Sequence, residues 1–192
     1  MVSGGGDGPL DHCVRVCLID EHERILFHSY VKSNLHVLYE MTEIRAEYLR
    51  DAMPLRKIQE FLRNGEPIWQ IGSKGGRSRI LVGHGLDHGL KCLEMDYPPI
   101  KMRDTAKYPP LTQTRKLSNS LKYLTKAYLG YDIQNGVQVP YEDCVVTMKL
   151  YMRMKSQFHK KRITLLPVAT DPQLLDFSRS DYYCWCLDSQ DY

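Results

Sequence analysis

The sequence predicts a single α/β domain, and three observations support that prediction. Two strand-like segments come first, strand and helix patterns then alternate, and two helices follow. The length of 192 residues suits one domain that buries about 70% of its unfolded surface. A hydrophobic share of 43% and a charged share of 26% are typical of a globular protein.

The first predicted elements are a hairpin and a helix. Residues 13–20 alternate apolar and polar side chains, as a half-buried strand does. A second strand is predicted over 24–31, and the short polar connection between the two predicts a hairpin. Proline suits the first turn of a helix, so a helix is predicted over 54–64, where glycine follows its end. Residues 1–11 are glycine-rich and predict a loop.

Strand and helix signals alternate through the rest of the chain. After a basic loop at 72–79, five elements are predicted: a strand over 79–85, a helix over 87–96, a strand over 100–104, a helix from the N-cap Ser118 to Tyr128, and a helix from Pro140 to about Lys160. The last of these has apolar residues at helical spacing: Val145, Met148, Tyr151 and Met152.

Charge and cysteine content narrow the class of protein. The formal net charge of +3 is mildly basic and compatible with nucleic acid. No apolar run approaches the roughly 20 residues of a membrane helix, and the N-terminus has no secretory signal pattern. Four of the six cysteines lie in apolar patterns, which indicates buried thiols in a reducing, intracellular environment and not a disulfide framework. Cys184 and Cys186 lack a second pair at zinc spacing, which favours a packed aromatic-thiol tail over a metal site.

Three blocks between Arg79 and Arg153 carry the most information. They read RILVGHGLDHGLKCLEMDYP, MRDTAKYPPL, and SNSLKYLTKAYLG followed by PYEDCVVTMKLYMR. Their order and spacing resemble the DEDDh family of 3′–5′ exonucleases, and most closely its RNA exonuclease 4-like branch. The resemblance implies an RNase H-like mixed β-sheet flanked by helices. The domain would comprise residues 1–162, incomplete at its N-terminus, and residues 163–192 would form a C-terminal tail.

The resemblance also implies a chemistry, which the catalytic positions can be checked against. Such enzymes remove nucleotides from a 3′ end with two divalent ions, Mg²⁺ or Mn²⁺, held by four acidic residues, and a histidine acts as base. The first two acidic residues would precede Met1, so the sheet is expected to lack its central first strand. Gly89 stands at the third acidic position and Asp143 at the fourth, where it would bind metal. Gln138 stands where the histidine belongs, and an amide is not a base near neutral pH.

The substituted positions predict absent or severely reduced activity. Loss of the base alone costs about 10²–10⁴ in rate, and loss of carboxylates removes ligands for the ions. Neighbouring acids are not expected to replace them, because Asp87 would point about 200° away from Gly89 on a helix. Asp87 is instead expected to favour the helix N-terminus, and Glu142 to be a solvated first-turn acid.

Binding to single-stranded RNA or DNA is the partner interaction that the resemblance implies, and the nucleus or cytoplasm is the location that it implies. His84, in the strand-end Gly-His signature, is assigned to nucleic-acid binding together with Lys149 and Arg153. It is not expected to share a helix with His88 as a zinc pair. Lys149 and Arg153 begin a basic run at the end of the last helix, which indicates either phosphate binding or a solvated face. Three alternatives to a degenerate exonuclease remain: a non-catalytic nucleic-acid-binding module, a non-functional product of a truncated gene copy, and a longer protein that supplies the missing strand.

Overall fold

The computed structural model describes residues 13–32, 46–67, 71, 76–108, 111, 120–135, 139–165 and 182–187, and its fold is α/β. The strands are β1 (Arg15–Asp20), β2 (Ile25–Lys32), β3 (Met53–Pro54), β4 (Ile80–Gly83), β5 (Met102–Asp104) and β6 (Tyr182–Leu187). The helices are α1 (Leu55–Arg63), α2 (Leu86–Cys92), α3 (Leu121–Leu129) and α4 (Pro140–Leu165), with 3-10 turns at Ala46–Leu49 and Pro99–Lys101. The strands form one sheet in the order β3-β2-β1-β6-β4-β5. Within these ranges, no helix has the length and apolar character of a membrane span.

The predicted hairpin is confirmed, and its first strand shows how the sheet divides the core. β1 and β2 pair antiparallel from Arg15 opposite Tyr30, with an irregularity after Leu18. Successive side chains of a strand point to opposite faces. Cys17 and Ile19 accordingly join the core cluster that α3 and α4 cover, whereas Val16 and Leu18 join the cluster that α1 and α2 cover. Helices therefore flank both faces of the sheet.

Several helix and strand ends differ from the predicted ones by one to three residues. α1 ends at the left-handed Asn64, with φ of 56°. Ser118 lies outside the described residues, and the N-cap of α3 is Ser120, whose Oγ accepts a bond from the Tyr123 amide at 3.3 Å. The predicted strand over 100–104 is shorter, because a 3-10 turn that begins at Pro99 occupies its first residues.

The last helix shows a narrower apolar face than its periodicity predicts. α4 reaches Leu165, so the predicted domain boundary at 162 falls inside it. Val146, Leu150 and Tyr151 are buried in the core beneath α4. Met152, also predicted as part of the apolar face, is 42% exposed. Met154 is partly buried against the same cluster, so the core-facing side of α4 continues past Tyr151 and excludes Met152.

The place between β1 and β4 is taken by β6, which comes from the predicted tail. β6 runs antiparallel to β1, with Val16 opposite Leu187, and parallel to β4, with Ile80 opposite Tyr182. The described sheet is therefore continuous across the position between β1 and β4. Both neighbours of that position have backbone partners.

The four cysteines with described side chains are buried thiols, as predicted: Cys13, Cys17, Cys92 and Cys144. Burial raises the pKa of the Cys13 thiol, with a further contribution from Cys92. A thiol held in its neutral form behaves as a small apolar side chain. These residues therefore belong to the core.

The β1–β2 turn is held by Asp20, and this contact predicts a pH-dependent contribution to stability. Burial favours a higher pKa for Asp20, but hydrogen bonds from Arg24 and the His22 amide lower its pKa below the usual value. The carboxylate therefore stabilises the fold above about pH 4, the unfolded value, and this contribution is lost as pH falls through the folded pKa. We expect Asp20→Asn to lower the unfolding free energy by about 1–3 kcal/mol at pH 7.

Urea denaturation at pH 7 and near pH 3 tests this expectation. The difference between wild type and Asp20→Asn should shrink at the lower pH, because the contribution of the charge is lost progressively as pH falls from the unfolded pKa through the folded pKa. Glu60→Gln is the matched control, since Glu60 pairs with Arg56 at 3.3 Å on the exposed surface of α1 and such pairs contribute about 0–1 kcal/mol. An Asp20→Asn effect that is equally large at both pH values would contradict the proposed role of the charge.

Candidate functional site

Asp143, the acidic residue that the resemblance retains, lies in the first turn of α4. Its side chain is buried, with a residue exposure of 2%. Gln134, in the segment before α4, donates from Nε2 to Asp143 Oδ1 at 2.9 Å. The next residue, Cys144, donates from Sγ to the Cys17 carbonyl at 3.4 Å, which fixes this turn against β1. Asp143 is therefore a buried carboxylate with an amide partner.

Glu142 differs from the solvated acid that was predicted. It is only partly exposed, and its Oε2 accepts from the backbone N–H of Gln134 at 3.4 Å. The side chain and the backbone of Gln134 thus contact two successive acidic residues. No sequence pattern indicates this contact, because Gln134 lies in a loop without helical or strand periodicity.

The predicted third acidic position, Gly89, lies in the middle of α2. Glycine has no side chain there, so the position supplies no ligand atom beyond its backbone, and its carbonyl accepts from the Leu93 amide. Asp87 lies in the first turn, where it was expected, and forms an ion pair with Lys107 at the surface. Both partners are mainly exposed. Asp87 is therefore engaged away from Gly89 and does not replace the missing carboxylate.

His84 follows the end of β4 and is fixed by Thr105. The Thr105 hydroxyl donates to the Gly83 carbonyl at 3.1 Å, and its oxygen lies 3.0 Å from His84 Nδ1. Because the hydroxyl has one proton, Nδ1 must carry the hydrogen of the second bond. His84 precedes α2 and His88 lies within it, so the two do not share a helix, as predicted. The Gly-His signature is thus anchored to the strand next to it.

Asp104 orders the same loop, although the sequence reasoning missed it. Its carboxylate accepts from the amides of Gly85, Leu86 and Ala106 at 2.9–3.0 Å. Gly85 has φ of +72°, a conformation that favours glycine. Asp104 thereby caps α2 from the end of a neighbouring strand. An aspartate at the end of a predicted strand was the available signal, but its partners are visible only in the fold.

The basic side chains proposed for nucleic-acid binding are exposed on α4. Arg153 lies at the surface, and Lys149 is 46% exposed and lies 3.5 Å from Glu23 Oε1. Tyr141, about two turns earlier on the same helix, donates from its hydroxyl to the Glu23 carbonyl at 3.2 Å. The β1–β2 turn therefore packs on α4 and partly offsets the charge of Lys149. Gln138, the position of the expected base, lies outside the described residues.

The described residues do not fit a pair of divalent ions. Mg²⁺ prefers several oxygen ligands near octahedral geometry, but Gly89 offers no side chain and Asp143 is bonded to an amide donor. In the part of the chain that the structure describes, no three histidine, cysteine, aspartate or glutamate side chains form a group of ion ligands. No catalytic step is therefore assigned to bound metal.

Comparison with solved structures defines the fold class. The Saccharomyces cerevisiae Pan2 pseudoubiquitin hydrolase–RNA exonuclease module, solved in complex with AAGGAA RNA, aligns with a TM-score of 0.58. The match covers 86% of this chain and 32% of that chain at 20% identity. At this identity the likeness establishes the fold alone. The protein is therefore an α/β domain with an RNase H-like fold.

Sequence relatives then give the family, although no family profile matches the chain. Human RNA exonuclease 4 is 29% identical over 176 residues, which cover 90% of this chain and 39% of the relative. RNA exonuclease 4 of Gibberella zeae is 33% identical over 162 residues, which cover 82% and 48%. The chain belongs to the DEDDh-type 3′–5′ exonuclease family, in its RNA exonuclease 4-like branch. It spans less than half the length of these two relatives.

Proposed function

We propose that this chain binds single-stranded RNA through an exonuclease fold whose 3′–5′ hydrolytic activity is absent or severely reduced. The observation that carries the proposal is that Asp143, the acidic residue that the resemblance retains, is buried and hydrogen-bonded to an amide. Its Oδ1 accepts from Gln134 Nε2. At the position of the third acidic residue of the family, this sequence has Gly89. A single carboxylate with an amide partner is a poor basis for two-ion catalysis.

The chemistry of the substituted positions supports reduced activity. A glutamine at position 138 is able to hydrogen-bond a water but not to accept its proton. That loss alone lowers a rate by about 10²–10⁴. A divalent ion at Asp143 would compete with the Gln134 amide for the same oxygen, since N–H donors and cations both require its lone pairs. These losses act on different requirements of the reaction and are expected to compound.

Two features support retained RNA binding. Lys149 and Arg153 present cationic groups at the surface of α4, and phosphate neutralisation by such groups is independent of base sequence. The Pan2 module of the same fold was solved with RNA, and we extend that ligand class to this chain as part of the proposal. DNA single strands carry the same phosphates and serve as the comparison ligand.

Cleavage and binding assays on the same preparation test the proposal. A 5′-labelled single-stranded RNA is incubated with the full chain and Mg²⁺ or Mn²⁺, beside Asp143→Asn, and its binding is measured without divalent ions. We expect saturable binding, and no 3′-end ladder that depends on Asp143. A ladder formed by wild type and lost in Asp143→Asn would overturn the predicted inactivity. Absence of binding by folded protein would overturn the proposed RNA contact.

A further inference from the structure

β6 joins two parts of the sheet that are otherwise paired separately. β1 has β2 on its other side, and β4 has β5 on its other side. Among the strands that the structure describes, β6 alone bridges these two parts. α4 packs against β1, β4 and β6, so the same helix covers both edges of the central position.

The backbone of β6 pairs with a neighbouring strand on each side. Cys184 is paired with Ile19 of β1 and with Val82 of β4, and Tyr183 likewise has a partner on each strand. The β1 pairing continues to Val16 opposite Leu187. A central strand satisfies backbone groups of two neighbours at once, whereas each buried group left unpaired costs roughly 1–3 kcal/mol. The position therefore has a strong requirement for an extended chain.

The strand that meets this requirement is remote in sequence from the strands it joins. β1 begins at Arg15 and β6 ends at Leu187, and residues 166–181 separate β6 from α4. β6 is thus tied to its neighbours by no tight turn, unlike β2, which follows β1 in a hairpin. Its pairing depends on the backbone contacts themselves, which is the mode by which extended peptides add to a sheet.

We propose that the gap between β1 and β4 is a binding site for an extended peptide strand, and that residues 182–187 of the same chain are its ligand. The chemical class of the ligand is a peptide of about six residues that runs antiparallel to β1 and parallel to β4. A strand in this gap also holds β1 in place. β1 carries the Cys17 carbonyl that accepts from Cys144 Sγ, so the same strand supports the turn of α4 that contains Asp143. This inference does not depend on whether the chain hydrolyses RNA.

Hydrogen exchange of the intact wild-type chain tests occupancy directly. Mass spectrometry should show slow exchange in β1, in β4 and in residues 182–187 together, with rates at least about 100-fold below those of an unstructured peptide. The comparison within the molecule is β2, whose hairpin pairing does not need β6. Protection of β1 and β2 without protection of residues 182–187 would overturn the proposal.

A strand-replacement experiment tests whether the gap binds a peptide as a ligand. In the full chain, Trp185→Pro removes one backbone N–H donor from β6, and a proline ring fits poorly in a central strand. Gln173→Pro, which lies outside the described strands, is the matched control. A dye-labelled synthetic peptide of residues 181–188, kept reduced, is added to each. We expect at least about tenfold tighter binding to Trp185→Pro than to Gln173→Pro or wild type, because their site is filled.

Two further measurements test the proposal: the binding of a variant peptide and the oligomeric state of the wild-type chain. The same peptide carrying Trp185→Pro should bind at least about tenfold more weakly to the Trp185→Pro chain. Equal binding of both peptides, or equal binding to wild type and variant, would overturn a backbone-specific site. Sedimentation of wild type should show a monomer at all concentrations, and a dimer formed by exchange of β6 would overturn the assignment of the ligand to the same chain.

Discussion

A chain in which Lys149 and Arg153 are both replaced by glutamate is expected to bind single-stranded RNA roughly 10- to 100-fold more weakly at low salt. Both side chains are exposed on α4. Two lost phosphate contacts should also make the slope of log affinity against log salt shallower by about 1.4, since each contact on a single strand contributes about 0.7. The effect should be similar for RNAs of different sequence, because phosphate contacts carry no base information.

The matched control changes the same number of charges on the other face of the sheet. Lys57 on α1 and Lys91 on α2 are exposed, and their helices cover the opposite core cluster. Fluorescence anisotropy of a labelled RNA is measured with Lys149→Glu/Arg153→Glu and with Lys57→Glu/Lys91→Glu over a salt series. Equal weakening by both would show that binding follows net charge and not the surface of α4. Loss of the Lys149–Glu23 pair is not expected to unfold the chain, because exposed pairs contribute about 0–1 kcal/mol.

The elements near the N-terminus were predictable because their signals are local. Alternation over residues 13–20 identifies both the strand and its two faces, which the structure assigns to different core clusters. The short polar connection to the next strand fixes antiparallel pairing. The helix after Pro54 was likewise visible from its ends. In each case the physical cause lies within a few residues of the element.

β6 shows where this local reasoning ends. Its sequence, YYCWCL, carries aromatic side chains that suit strands, but nothing in it specifies pairing with β1 and β4. That pairing joins opposite ends of the chain, and such a contact is set by which backbone groups remain unpaired in the rest of the sheet. A tail was therefore the prediction, and a central strand is the structure.

Part of the candidate site could likewise be predicted from the sequence, and part of it could not. The positions of His84, Gly89 and Asp143 follow from the family resemblance, because it transfers residue by residue. Asp104 and Gln134 do not, since each acts on an element that is distant in sequence or on a loop without a pattern. Periodicity also failed at Met152, because helical spacing identifies a face but not which residues at the edge of that face are buried.

The sharpest test of which face of α4 packs on the core compares two adjacent residues. Tyr151 has no exposed surface and packs in the cluster between α4 and the sheet, whereas Met152 is 42% exposed. We expect Tyr151→Ala to lower the unfolding free energy by about 3–5 kcal/mol, because it removes a large buried ring and leaves a cavity. Met152→Ala should change it by no more than about 0.5 kcal/mol. The first loss is a large part of a total stability of about 5–15 kcal/mol.

Urea unfolding followed by circular dichroism measures both variants, with Tyr151→Phe as the variant that keeps the ring. Tyr151→Phe removes only the hydroxyl and is expected to cost about 0.5–1.5 kcal/mol. This order of effects follows from the burial of the ring against the sheet that β6 completes. A Met152→Ala cost as large as that of Tyr151→Ala would show that α4 docks through a different face. In that case Arg153, the next residue, would not lie on the exposed surface that the RNA-binding prediction requires.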